Sequence, residues 1–312
     1  MPRRLRSKTK FAAAAAAVAM LLPLSACGGD PTSGGGTGDS KSPAIVMGSA
    51  NFPENQLLAE MYAQALEGKG VTVTRKFNIG ARELYLKALK DGSIDMIPEY
   101  NGAFLAALSK GGTPPAGVST TEQVNSALEK VLPSGLEILK SSPAEDKDTL
   151  TVTAATAKKY NLKSISDLKP VASKLVLGAG PEFKTRQQGV VGLEKEYGLK
   201  FKSFKSLDPG GPLTKAPLKK GQIQVANIFS TDSTIETDNL VVLDDPKNLF
   251  LAQNVTPVIE KSKVKGDVES TVNAVSAALT TEDLTKYLAE VAVDKKSYES
   301  VAKEFLDAKG VN

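Results

Sequence analysis

Two stretches of this chain repeat the same order of helical, turn and strand residues. The first, 89–96, reads LKDGSIDM, and the second, 218–225, reads LKKGQIQV, at an offset of 129 residues. Gly48 and Gly178, each at the end of an apolar run, lie 130 residues apart. The repetition predicts two similar lobes, each containing a helix-glycine-strand unit. A chance resemblance of two such units is the alternative that the sequence leaves open.

Apolar runs of strand length alternate with helical patterns in both halves. Strands are predicted at 44–47, 71–77, 94–97, 175–178 and 201–204, and helices include 82–90 and 184–197. Alternation of this kind favours an α/β fold in which each lobe is a mostly parallel sheet flanked by helices. Ligands of such sheets bind beyond the carboxyl ends of the strands. By the 129-residue offset, Tyr100 and Phe229 would each present a ring at that edge, facing a cleft.

The predicted lobes are not continuous in sequence. Three helical patterns follow residue 263 and need a surface to cover, and the first lobe lacks a closing strand. We therefore predict that 44–149 plus 255–312 form lobe 1 and that 150–254 form lobe 2. Two crossings, near 148–152 and 253–256, would then act as a hinge for closure on a ligand.

The first 26 residues have the plan of a secretory signal peptide. Five basic residues stand in the first ten, an alanine-rich apolar run follows over 11–22, and Leu-Ser-Ala precedes Cys27. Cys27 is the only cysteine, so an internal disulfide is excluded, and its position resembles a bacterial lipobox, in which the cysteine is lipidated. We expect a signal peptide over 1–26, and a lipidated Cys27 with a flexible tether over 27–43. A plain cleaved signal is the alternative.

Composition excludes several classes of function. The chain has no histidine and no tryptophan, which excludes Ser-His-Asp and Cys-His nucleophile systems and histidine-based zinc sites. Five of the 39 basic residues lie in the predicted signal peptide, so the remainder carries 34 basic against 35 acidic residues and shows no electrostatic footprint for nucleic acid. We expect no cofactor, no metal, no nucleic-acid partner and no enzymatic activity. A carboxylate-based enzyme remains open on residue counts.

Two motifs resemble those of a known family. The segment 48–54 reads GSANFPE and the segment 94–102 reads IDMIPEYNG. They are similar to the GS-x-NF-x-E and (I/V)D-x-x-PEYTG motifs of the substrate-binding proteins of ABC transporters for glycine betaine, choline and carnitine, and the resemblance extends over roughly 44–305. It implies a type II periplasmic-binding-protein fold with a ligand cleft between two lobes. It also implies an extracytoplasmic monomer, held at the cell membrane by its lipid anchor, that delivers a small solute to an ABC permease and its ATPase.

The resemblance indicates which residues meet the solute. In relatives a quaternary ammonium lies in a cage of tyrosines from both lobes, since ring faces attract a cation that cannot donate hydrogen bonds. Arg186 would hold an anionic or carbonyl group, whereas Phe52 is expected to pack rather than bind. The predicted ligand-binding residues are Ser49, Asn51, Tyr100, Asn101, Leu150, Arg186, Phe229 and Gln253.

Departures from the family pattern bear on the solute. Phe229, Gln253 and Leu150 stand where relatives have tyrosines, and Ala50 and Ala103 replace a lysine and a threonine. The sequence therefore predicts either a glycine betaine- or choline-like solute or a re-specialised polar or neutral one. The alternative function is an orphan solute-sensing or scaffolding lipoprotein that is not coupled to transport.

Overall fold

The computed structural model describes residues 44–312, so the predicted signal peptide, Cys27 and tether lie outside the described part. The strands are, in chain order, β1 Ala44–Gly48, β2 Thr72–Lys76, β3 Met96–Tyr100, β4 Leu136–Ile138, β5 Asp148–Thr153, β6 Val176–Ala179, β7 Ser203–Ser206, β8 Val225–Phe229, β9 Leu240–Leu243 and β10 Val255–Glu260.

The helices lie between and after these strands. They are α1 Pro53–Gly68, α2 Arg82–Lys90, α3 Asn101–Leu108, α4 Thr121–Glu129, α5 Ala154–Tyr160, α6 Val190–Tyr197, α7 Pro212–Lys219, α8 Thr234–Thr237, α9 Val268–Ala278, α10 Thr281–Ala292 and α11 Tyr298–Lys309. Among residues 44–312, no helix combines the length and the apolar character that a membrane crossing requires.

The strands form two five-stranded sheets with the same plan. The orders are β2-β1-β3-β10-β4 and β7-β6-β8-β5-β9. In each sheet the first three strands are parallel, and the fourth runs antiparallel to both of its neighbours. The fold is thus the two-lobed, mixed α/β architecture that the sequence predicted.

The strands that change sheets are β5 and β10. Strand β5 lies in the second sheet and begins two residues before the predicted start of lobe 2, whereas β10 lies in the first sheet and begins at the predicted return point. The assignment of 44–149 plus 255–312 to one lobe and of 150–254 to the other stays a prediction. The starts of β5 and β10 lie within two residues of its two boundaries.

Each sheet has one glycine that lets an isoleucine approach the backbone. A Cβ on Gly48 would lie 2.5 Å from Ile94 Cδ1, and a Cβ on Gly178 would lie 2.4 Å from Ile223 Cδ1. Both distances are far below van der Waals contact, so a larger residue at either position would force the isoleucine side chain to shift. The two isoleucines are 129 residues apart, which is the offset of the sequence repeat.

The residue after each isoleucine repeats a second contact. Asp95 accepts a hydrogen bond from the backbone N of Val46 at 2.8 Å, and Gln224 accepts one from the backbone N of Val176 at 3.0 Å. Identical contacts at equivalent positions in both lobes favour a true internal repeat over chance resemblance.

The C-terminal helices cover the first lobe. Helix α1 packs against α9, α10 and α11 through one core that includes Leu57, Val272 and Phe305. The Tyr62 hydroxyl lies 2.9 Å from the Ser276 hydroxyl inside this core. Helix α1 is thereby fixed along its length, and so is its first turn, which faces the second lobe.

Two predicted elements differ from the structure. The helix predicted over 184–197 begins only at Val190, after a short 3-10 turn over Pro181–Lys184 and an irregular segment. The third strand begins at Met96 and continues through Tyr100. Its Pro98 disfavours a strand in sequence, but here it stands opposite Pro257, and the two prolyl carbonyls accept hydrogen bonds from outside that pair.

Candidate functional site

A cavity lies between the lobes at the carboxyl ends of β3 and β8. Lobe 1 contributes residues before α1, on α2 and at the end of β3, and the second lobe contributes the segment before α6 and the end of β8. Its volume is about 60 Å³. Because one water molecule needs roughly 10–15 Å³ on this measure, the space holds about four to six water-sized centres and suits a compact small-molecule solute.

Three aromatic rings form one wall of the cavity. Phe52 immediately precedes α1, Tyr100 ends β3 and Phe229 ends β8. The ring centroids of Phe52 and Tyr100 are 6.1 Å apart, and those of Phe52 and Phe229 are 5.2 Å apart. Phe52 therefore stands between the two rings that the repeat predicted, and it lines the cavity in addition to packing. Ring faces in this arrangement can hold a cation.

The Tyr100 hydroxyl is tied to a buried acid. It donates to Glu54 Oε1 at 2.6 Å, and the Thr231 hydroxyl of the second lobe donates to Glu54 Oε2. The Asp146 carboxyl group lies close enough to Glu54 for their charges to interact, and its Oδ1 accepts from the backbone N of Thr231 at 3.1 Å. Glu54 thus links the first turn of α1 to the crossing and to the second lobe.

Both acids of this link favour the protonated form. Burial raises the pKa of Glu54 above its ordinary value, although its hydrogen bonds with Thr231 and Tyr100 act in the opposite direction. Burial, together with the nearby charge of Glu54, raises the pKa of Asp146 well above its ordinary value. Two buried carboxyl groups at one site cannot both ionise cheaply. Each carboxyl group of the pair therefore has a pKa above its value in water, and the folded state holds its protons to a higher pH than the unfolded chain does.

A second buried charge cluster supports the other wall. Arg82 at the start of α2 donates through Nε and Nη2 to both carboxylate oxygens of Glu99, at 2.7 and 3.0 Å, and the Tyr85 hydroxyl donates to the same carboxylate at 2.6 Å. Although burial opposes its charge, Glu99 holds the pKa of Arg82 above its usual value. Arg82 reaches the cavity as a fixed cation.

The irregular segment before α6 carries the remaining cation. Arg186 donates to the Glu83 carboxylate of the other lobe at 3.2 and 3.1 Å, so the two lobes meet through this pair. A Cβ at Gly189 would lie 2.1 Å from the Phe183 carbonyl oxygen, so only glycine lets the segment fold back there. That turn places Arg186 and Gln188 at the cavity.

Opposite ends of the cavity differ in chemistry. A groove of about 440 Å³ on one side shares Phe52 and Phe229 with it, and a groove of about 260 Å³ on another side shares Arg82, Arg186 and Gln188. The aromatic wall and the guanidinium groups therefore occupy different ends. The arrangement can hold a solute with a cationic part at the rings and an anionic part at the arginines.

Asp148 adds a negative charge to the cavity wall. Its carboxylate accepts hydrogen bonds from Asn227 Nδ2 at 3.0 Å and from Gln253 Nε2 at 3.4 Å. Within 44–312 it makes no salt bridge, although its charge helps to raise the pKa of Arg82. A carboxylate held only by amides can neutralise a bound cation without a covalent or hydrogen-bonded contact.

Five of the eight predicted ligand-binding residues line this cavity: Asn51, Tyr100, Arg186, Phe229 and Gln253. Three do not. The Ser49 hydroxyl accepts from the backbone N of Asn78, and Asn101 uses its side-chain oxygen to accept from the backbone N of Gly102 and Asn254.

Leu150 lies in the core of the second lobe. Its side chain packs in that core and does not line the cavity. All three side chains outside the cavity are fully shielded from solvent, and they support the strand ends rather than the solute space.

Sequence reasoning missed Arg82, Asp146, Asp148 and Gln188. Arg82 and Gln188 stood in or beside predicted helices, where a polar residue ordinarily faces solvent. Asp146 and Asp148 lay next to the predicted crossing at 148–152, and acidic residues at a hinge were the one signal that pointed to them. Their partners come from segments about 80 residues away, which no local pattern reveals.

Comparison with known proteins places this geometry in context. The family described as the substrate binding domain of ABC-type glycine betaine transport systems matches residues 43–308. The carnitine transport binding protein OpuCC of Listeria monocytogenes is 27% identical over 282 residues, which cover 87% of this chain and 88% of that protein. The glycine betaine-binding protein YehZ of Escherichia coli is 26% identical, over 85% of this chain and 90% of that protein.

A solved structure agrees on the fold. The crystal structure of a glycine betaine/carnitine/choline ABC transporter aligns with a TM-score of 0.66 at 24% identity, over 86% of this chain and 99% of that chain. At this identity the likeness shows the shared architecture, two sheets flanked by helices.

Proposed function

The chain belongs to the family of substrate-binding domains of ABC-type glycine betaine transport systems, and from that premise we propose that it captures a compact quaternary ammonium carboxylate between its lobes. Its role is to hand the solute to the membrane permease of an ABC importer. Glycine betaine and carnitine, named for two relatives, both carry a trimethylammonium group and a carboxylate.

The division of the cavity into an aromatic end and a guanidinium end carries this proposal. A trimethylammonium group cannot donate hydrogen bonds, so Phe52, Tyr100 and Phe229 suit it, each ring contributing about 0.5–2 kcal/mol when desolvated. The Asp148 carboxylate, which also lines the cavity, adds negative charge that Arg82 partly balances. A carboxylate at the other end would meet Arg82 and Arg186. Choline, which lacks the carboxylate, would use only the aromatic end.

The buried carboxyl pair has a structural part in this scheme. Both Glu54 oxygens accept hydroxyl hydrogen bonds, and Asp146 accepts from the backbone of the second lobe. Acids held in this way join the lobes and are not free to act on a solute. We propose binding without turnover, in keeping with the solute-binding role of the family.

We propose further that the protein works outside the cytoplasm as a monomer, tethered through lipidated Cys27. The order of basic head, apolar run and Leu-Ser-Ala before that cysteine supports this proposal. Expression of the full chain and of its Cys27→Ala variant tests it, since wild type should fractionate with membranes and label with a fatty-acid analogue. An unlabelled wild type that is recovered in the soluble fraction would refute the anchor.

Calorimetric titration tests the solute. The chain 28–312, which includes all of the described residues 44–312, is titrated with glycine betaine, carnitine and choline, and with glycine as the control that lacks the methyl groups. We expect heat with the methylated solutes and none with glycine. At 100 times the dissociation constant a binder should raise stability by about 2.7 kcal/mol, a shift of a few degrees in melting temperature.

Two variants locate the binding. Phe229→Leu keeps an apolar residue but removes a cavity ring, and it should weaken binding about 2- to 30-fold, as the range for one ring implies. Phe204→Leu is the matched control, a half-buried ring of the same lobe that lies outside the cavity. Equal affinities in the two variants, or no binding of any methylated solute to wild type, would refute the proposed site.

A further inference from the structure

Gln188 holds an unused hydrogen-bond donor inside the protein. Within the described part of the chain, 44–312, its Nε2 is the one shielded side-chain nitrogen or oxygen that has no partner. The residue is 7% exposed and lines the interlobe cavity. Buried polar groups in folded proteins are almost always hydrogen-bonded, so a single exception at a cavity wall points to a partner that arrives from outside.

The neighbours of Gln188 indicate the charge of that partner. Arg82 and Arg186 line the same end of the cavity, and both also line the groove that Gln188 shares with them. Each guanidinium uses Nε and Nη2 on a carboxylate of the protein, Glu99 for Arg82 and Glu83 for Arg186. Within the described residues, the Nη1 groups of both arginines make no hydrogen bond to the protein.

Three donor groups without a partner among residues 44–312 therefore belong to residues that line this side of the cavity, and the two arginines have no acceptor atoms of their own. The small side chains of Ala50 and Ala103, which line the same cavity, leave room there without adding a donor. A carboxylate has two oxygens and about four lone-pair sites, which matches this supply. Guanidinium and amide donors to a charged acceptor also form the stronger class of hydrogen bond.

We infer that Gln188 is a specificity-determining residue of this protein, and that its Nε2 donates to the carboxylate of the bound solute beside the free Nη1 groups of Arg82 and Arg186. The inference rests on the proposed function, in which the aromatic rings hold the ammonium group of the solute and the arginines hold its carboxylate. Together with the two arginines, Gln188 would then distinguish carboxylated from uncarboxylated quaternary ammonium solutes.

The test compares two solutes in three proteins. Glycine betaine and choline are titrated by calorimetry into wild type, Gln188→Leu and the control Gln187→Leu, whose side chain lines the neighbouring groove but not the cavity. We expect Gln188→Leu to weaken glycine betaine at least tenfold, and choline and the control each to change by less than about twofold. The ligand-free Gln188→Leu protein should melt at or above the wild-type temperature, because the unsatisfied donor is gone.

The outcomes separate this inference from the proposed function. If wild type binds glycine betaine and Gln188→Leu binds it within twofold of wild type, the inference fails and the proposed function stands. An equal loss for choline, or the same loss in Gln187→Leu, also overturns it. If wild type binds neither solute, both fail. Should Gln188→Leu fold poorly by circular dichroism, Gln188→Glu gives the same test, since its carboxylate should repel glycine betaine and leave choline bound.

Discussion

Replacing Glu99 by glutamine removes the charge that balances Arg82 inside the protein. The Glu99 side chain is fully shielded and that of Arg82 is 10% exposed, and their two hydrogen bonds measure 2.7 and 3.0 Å. Removing one partner of a buried pair leaves an uncompensated charge and typically costs about 3–5 kcal/mol. Since single domains have about 5–15 kcal/mol of stability, the variant should lose a large part of its total.

Urea unfolding followed by circular dichroism measures this loss. At a slope of roughly 3 kcal/mol per molar urea, the midpoint of Glu99→Gln should fall by about 1 to 1.7 M. The control is Lys303→Ala, which breaks an exposed pair with Asp307 on α11 and should cost less than about 0.5 kcal/mol.

A double variant tests the cause. Arg82→Met with Glu99→Leu removes both charges and keeps similar volumes, so it should recover most of the loss, because a buried pair is often replaceable by apolar residues. A Glu99→Gln cost below about 1 kcal/mol would refute the reasoning that Arg82 depends on this carboxylate. A double variant as unstable as the single one would assign the cost to packing or to the Tyr85 hydroxyl and Tyr100 N–H, which also donate to Glu99.

Two further predictions concern stability. The pKa values of Glu54 and Asp146 are raised in the folded state. As the pH rises above about 4, the ordinary carboxyl range, the unfolded chain therefore releases these protons before the folded state does. Stability from this pair is therefore complete below that range and is lost as pH rises through the folded pKa values. Urea midpoints between pH 4 and 8 should fall with pH in wild type and fall less in Glu54→Gln; parallel curves would contradict this. Gly178→Ala should cost about 1–3 kcal/mol, because its Cβ would lie 2.4 Å from Ile223 Cδ1, and an unchanged urea midpoint would show that the isoleucine can move aside.

Local patterns were sufficient for the framework of the fold. Strands bury apolar side chains in short runs and helices bury them every three to four residues, so both leave a period in the sequence. The 129-residue repeat placed Tyr100 and Phe229 at equivalent strand ends. Gly48 and Gly178, at an offset of 130 residues, are also equivalent, since the backbone of each is in close contact with an isoleucine. These features depend on neighbours in the chain or on a repeated unit.

The tertiary structure alone decided which polar residues reach the solute space. Arg82 is a cavity cation because the Glu99 carboxylate, 17 residues away in sequence, binds it there. Gln188 lies at the cavity because the chain turns at Gly189 and α6 begins only at Val190, whereas the sequence predicts one helix through both positions. Ser49 and Asn101, although within the recognised motifs, instead bond to nearby backbone. Periodicity records whether a residue is buried, but the partner of a buried polar group is set by which distant segments pack together, and that information is not local.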